Sequence, residues 1–296
     1  MVRVSVTVEW ELVASVVDLA VEAMVDQAAD QALVADLMAE VLAAAVPAEA
    51  GKDSYGSNIM VKTVDELRAM IVPVLQQALG GQLVCIFAHG NCAESLFVPG
   101  SSPWEVSLFV NGLDPKNIPD LSVAQKQLSK AGTDLHYIFT PEMVLHAGDT
   151  YPLEFLNLSE RHILLHGALP IEKFHPLKPW LRLQCERELR GLLIHMHREV
   201  ALRGTSTKDL QRLLSIAMPR FLPILHGVVW LVKNEEYPTD NLQCLKTIAQ
   251  EWNLANLFTR MQQLPKDAIA LRSLAGDYIM GMQTILQTID QLEEST

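Results

Sequence analysis

Past Pro179 the strand-like runs of this sequence stop, and one long amphipathic pattern follows another to the C-terminus. Before it, short apolar runs bounded by turn residues alternate with helical stretches. That order predicts an α+β half followed by an all-α helical bundle. The expected units are an acidic helical extension over residues 1–50, a mixed sheet with flanking helices over 51–175, and the bundle over 176–296. A chain of 296 residues can bury cores of this size without disulfides or structural metal.

The local signals are specific. Thr63 is placed to cap a helix over 64–79, with Glu66 completing a capping box and Gly80 and Gly81 closing it. Residues 83–87, 104–110 and 135–139 read as strands. Asn111-Gly112 marks a turn, Pro115 and Pro119 are expected to keep the chain irregular, and 122–130 reads as helix. Further helices are expected over 180–202, ended by Gly204, then over 207–218 from a Thr207 cap, and over 219–233. Another should start at Thr239 or Asp240, and a last one should run over 266–292.

The first 50 residues hold nine acidic side chains against Arg3 alone. Val2, Val4, Val6 and Val8 alternate with polar residues as in a short strand. Over 10–46 the pattern becomes one long N-terminal helix, with Asp18, Glu22, Asp26 and Asp30 in a single stripe, and Pro47 ends it. Residues 48–58 read as a linker. The apolar face of 10–46 needs a cover, either the rest of the chain or a partner, so this segment is the candidate surface for a homo-oligomer or protein partner. The net charge of −12 argues against general nucleic-acid binding and against anionic membranes. Apolar stretches read as too interrupted by charge to span a bilayer, and no leader pattern stands at the start, so a cytoplasmic protein is expected. Cys85, Cys92, Cys185 and Cys244 show no paired spacing and are expected to be reduced and buried.

The segment that bears on chemistry runs from Cys85 through Ala88-His89-Gly90 to Glu94. It continues through Phe97-Val98-Pro99-Gly100 to Trp104-Glu105-Val106-Ser107. A strand enters a small-residue turn, and a second strand carries a carboxylate near its start. In phosphoryl transfer such a turn can hold a triphosphate on its backbone N–H groups, while carboxylates clamp magnesium. This arrangement resembles the nucleotidyltransferase superfamily typified by DNA polymerase beta. It is most similar to a bacterial branch with a helical C-terminal domain. Phe97–Gly100, Thr140-Pro141-Glu142, Pro152–Leu156 and Leu181–Gly191 carry the resemblance in order.

The resemblance implies a Gly-Ser turn and an Asp-x-Asp pair, with a third carboxylate on a later strand. Here the turn is Ala88-His89, with Gly90 adjacent. The pair is Glu105-Val106-Ser107, and Asp134 is the nearest third carboxylate. Ala88, His89, Gly90 and Ser107 are thus the candidate nucleotide-binding residues, and Glu105 and Asp134 the candidate catalytic and metal-holding ones. A serine hydroxyl is a poor substitute for a magnesium-holding carboxylate. The expectation is a catalytically inactive nucleotidyltransferase-like protein acting by ligand or protein binding. The alternatives are an active enzyme moving a nucleoside monophosphate from an NTP with Mg2+, and a purely structural homo-oligomer.

Other residues carry weaker signals. His162 and His166 would share a helical face as metal ligands, although the zinc-peptidase glutamate is missing. His195 and His197 diverge on a helix. Arg182, Arg187 and Arg190 can pair with Glu186 and Glu188. As a strand-end group Glu105 would face water, and His89 as a turn residue would bond a carbonyl. Glu154 sits in an apolar block and is expected to accept from a basic group or a helix N-terminus.

Overall fold

The computed structural model describes residues 61–293 apart from 95, 96, 98, 100 and 101. The expected strand at 2–8, the acidic helix at 10–46 and the linker at 48–58 lie outside these residues. The fold is α+β, with a mixed four-stranded sheet and helices around and after it.

Helix α1 (Val64–Leu79) starts where Thr63 Oγ1 accepts from the Glu66 N–H at 3.2 Å. The return bond to Glu66 comes from the Lys62 N–H, one residue earlier than a standard capping box. Gly80, at φ 55°, donates back to the Gln76 carbonyl and releases the chain into β1 (Leu83–His89). After a 3-10 turn, β2 (Trp104–Val110) runs antiparallel to β1. Pro115 and Pro119 do not leave the next stretch irregular. A 3-10 turn at Pro115–Asn117 leads straight into α2 (Ile118–Lys130), because proline fits the first turn, where its missing N–H would have no helical partner. This helix crosses over to β3 (Thr133–Phe139), which lies parallel to β2.

Two short helices follow, α3 (Pro141–Ala147) and α4 (Pro152–Glu160), then β4 (His162–Gly167), antiparallel to β1. The sheet order is β3-β2-β1-β4. Successive side chains point to opposite faces. Ile86, Ala88, Val106 and Leu108 pack under α1 and α2 with Leu67, Ile71 and Leu128. Cys85, Phe87 and Phe109 face the other way, onto Phe155, Leu158 and Ile171. Because β4 is a strand, His162 and His166 do not share a helical face. His162 opposes His89, whereas His166 pairs with Ile86 and reaches Gln76 on α1.

The helical half comprises α5 (Lys178–Arg203), α6 (Thr207–Val232), α7 (Asn241–Trp252), α8 (Ala255–Gln262) and α9 (Ala268–Glu293). The two helices expected over 207–233 are one. Pro219 and Pro223 lie inside α6, where each removes a backbone hydrogen bond at a cost of about 3 kcal/mol. Burial of Leu214, Phe221, Leu225, Val228 and Trp230 in the central core outweighs that cost. The cap is Ser206, which accepts from the Asp209 N–H at 3.3 Å, and not Thr207. Asp240, as expected, caps α7.

Charge does not interrupt every apolar stretch. From Leu213 to Val232 only Arg220 is charged, and α6 is long and apolar enough to cross a membrane by length and composition. It is also the most buried helix of the bundle, lying among α5, α7 and α9. The four cysteines are buried and free, and burial pushes the Cys85 and Cys92 thiols up to about 12.

Candidate functional site

Cross-strand pairing draws one polar row over the end of the sheet. Asp134 on β3 pairs with Glu105 on β2, Glu105 with His89 on β1, and His89 with His162 on β4. Partners in register share a face of the sheet. The alternation that buries Ala88 and Val106 under α1 therefore sends His89, Glu105 and Ser107 to the opposite face. Ala88 lies on the α1 side, away from this row.

His89 is buried, and its Nε2 lies 2.7 Å from Ser107 Oγ. Ser107 is fully buried, and the same oxygen accepts the Tyr137 N–H at 3.1 Å. His89 thus bonds a side-chain hydroxyl and not a backbone carbonyl. The register of β2 on β3 slips between Val106 and Leu108, and that slip brings both His136 and Tyr137 beside Ser107. Their rings stack at 4.3 Å and 16°, and the His89 and His136 rings lie nearly parallel at 5.4 Å and 8°. Neither His136 nor Tyr137 carries a local sequence signal, since the irregularity that places them arises from pairing between distant strands.

Glu105 is half-buried, not a fully solvated strand-end group. Its carboxylate lies directly over Gly90, whose φ is 67°. A Cβ there would collide with Glu105 Oε2. Oε2 is 4.0 Å from His89 Nδ1 and 3.8 Å from His136 Nδ1. Burial, with the neighbouring charge of Asp134, raises the Glu105 carboxyl to about 7, although Arg161 opposes this. Burial, with His136 and Arg161 nearby, lowers the His89 imidazole to about 3. Asp134 itself is exposed and takes a long 3.4 Å bond from Gln125 Nε2.

Beside the row, Arg161 ties the sheet to the helical half. Its Nη1 donates to Glu94 Oε1 and, at 2.8 Å, to Asn241 Oδ1, and it lies 2.9 Å from His226 Nε2. The second Glu94 oxygen accepts the Asn241 N–H at the start of α7 at 3.0 Å. Burial raises the Glu94 carboxyl while Arg161 pulls it back. No sequence pattern announced this cluster.

The remaining sequence candidates lie in other surroundings. Arg182 and Arg190 both bond Glu186, Arg190 reaches Asp290 on α9, and Arg187 pairs with Glu188. Glu154 accepts from the Gln184 amide at 2.5 Å, a neutral partner and not a basic one. His195 and His197 lie on α5.

A two-magnesium centre of the kind the resemblance implies needs several anionic oxygens converging on the same ions. This row offers Glu105 and an outward Asp134, and the Ser107 hydroxyl, two residues past Glu105 on β2, is consumed by His89 and the Tyr137 N–H. The residues do not fit such a centre. Compared with family models and with curated proteins, the chain matches none.

Proposed function

We propose that this protein is a nucleotidyltransferase-like scaffold that has lost phosphoryl transfer and acts by binding a ligand or another protein. The observation that carries this reading is the state of Ser107. It stands where the resemblance calls for a second metal-holding carboxylate, and it is wholly buried with its oxygen engaged by His89 and the Tyr137 N–H. Freeing that oxygen for a metal would leave a buried imidazole nitrogen and the Tyr137 N–H without partners, at a cost of about 1–3 kcal/mol. A stack of His89, His136 and Tyr137 covers the same face of the sheet.

Support for a binding role comes from α5. Trp180, Leu183, Ile194 and Leu202 are exposed among the described residues. At helical spacing they fall on one side of the helix, about 100° wide. The test is incubation of the full chain with labelled nucleoside triphosphates and Mg2+ or Mn2+. No pyrophosphate release and no labelled product are expected. Turnover abolished by Glu105→Gln would overturn the proposal in favour of an active nucleotidyltransferase using Glu105 with Asp134.

A further inference from the structure

The polar row holds a group whose chemistry differs from that of a magnesium centre. We infer that His89, Glu105 and His136 bind one late first-row divalent cation of the Zn2+ type. One ligand atom from each lies within 4.8 Å of the others. The natural set is Nδ1 of His89, Oε2 of Glu105 and Nδ1 of His136, with the carboxylate 4.0 and 3.8 Å from the two nitrogens. Tetrahedral ligands about 2.0–2.2 Å from a zinc ion stand about 3.3 Å apart, so the three atoms close on the ion when the His136 ring turns out of its parallel alignment with His89 and the carboxylate follows, an approach of up to about 1.5 Å. His136 and Glu105 are partly exposed and free to make these movements.

Three details of the surroundings suit this role. The outer nitrogen of His89 is fixed by Ser107 Oγ, which Tyr137 N–H anchors in turn. With the ring hydrogen on Nε2 and donated to Ser107, Nδ1 is the unprotonated nitrogen, 4.0 Å from Glu105 Oε2, as in outer-shell support of metal-bound histidines. Gly90, lacking a Cβ, lets the Glu105 carboxylate lie over the turn within reach of both rings. Arg161, the nearby cation, is matched by Glu94. Two imidazoles and one carboxylate favour zinc, cobalt or nickel over the all-oxygen shells that magnesium and calcium require. Three protein ligands leave a fourth position on the open side, where His136 is exposed, for water or an anionic ligand.

The site stands on its own residues and does not depend on the loss of phosphoryl transfer. The test uses the full chain stripped with chelator, then titrated by calorimetry with Zn2+ and separately with Mg2+, and by visible absorption with Co2+. One equivalent of Zn2+ is expected to bind far more tightly than Mg2+, and Co2+ should give the intense bands of a four-coordinate ion. His136→Ala and Glu105→Gln, both at partly exposed positions, should each weaken Zn2+ binding by at least about 100-fold. Ser107→Ala should weaken it by about 10–100-fold, as loss of an outer-shell partner does. Zn2+ affinity no greater than that for Mg2+, or affinity unchanged in both His136→Ala and Glu105→Gln, would overturn the assignment. The nucleotide assay would be untouched by either result.

Discussion

Ser107 Oγ and His89 Nε2 lie 2.7 Å apart, and both residues are buried. The hydroxyl is shared between an imidazole and a backbone N–H, so it is a junction between β1, β2 and β3. Ser107→Ala should cost about 1–3 kcal/mol, because it strands the buried His89 nitrogen and the Tyr137 N–H while creating almost no cavity. Urea unfolding of the variant is the measurement, with an unchanged slope and a lower midpoint expected.

Gly90 should not tolerate a side chain. Its φ of 67° disfavours any L-residue, and a Cβ would strike the Glu105 carboxylate. Gly90→Ala is expected to lose about 1–2 kcal/mol of stability, read by thermal unfolding, from backbone strain and displacement of Glu105.

Arg161 neutralises Glu94 in a buried setting. Removing the guanidinium alone, as in Arg161→Met, should cost about 3–5 kcal/mol by leaving a charge without a partner. The double variant Arg161→Met with Glu94→Gln should recover part of that loss. Chemical denaturation of the single and double variants gives the comparison, and a double variant weaker than both singles would refute the account.

His226 predicts acid sensitivity. It is fully buried, next to Arg161, Asn241 and Tyr237, with Glu94 across the guanidinium. Burial, with the Arg161 charge, lowers its imidazole to about 3. A folded value below the unfolded one near 6.5 means that the unfolded chain takes up the proton first. The stability from neutral His226 is therefore complete above pH 6.5 and drains as pH falls from 6.5 toward 3, at about 1.4 kcal/mol per pH unit. His226→Gln should be less stable at pH 7 yet lose stability less steeply below pH 6.5. Denaturation midpoints at intervals from pH 7.5 to 4.5 measure the two slopes.

Much of the architecture was legible because its marks are local. Thr63 and Gly80 bound α1, and an apolar run between turn residues gives Trp104–Val110 as β2. Local rules also misled. The chain read as broken at Pro219, but α6 is so deeply buried that packing holds it continuous through both Pro219 and Pro223. In β4, six residues with histidines near both ends carry no clean alternation. Glu105, His89 and Ser107 were visible as a group, since a strand, a turn and a second strand lie close in the chain, whereas Asp134, on β3, entered only through the family resemblance. His136 and Tyr137 were not, because they reach the row through a register slip opposite a residue some thirty positions earlier. The Arg161 cluster draws its members from segments 65 to 80 residues away, where no spacing rule reaches.

Helix α4 looks two ways. Leu153 and Leu156 enter the bundle core, while Phe155 and Leu158 enter the core beneath the sheet. Severing the polypeptide near residue 177 would therefore not yield two self-sufficient fragments. The upstream piece would carry a greasy leucine ridge into water, and the downstream piece would keep the matching trough. Mixed together, the two should reassemble, which makes the natural joint of this molecule a keel held in common and not a hinge.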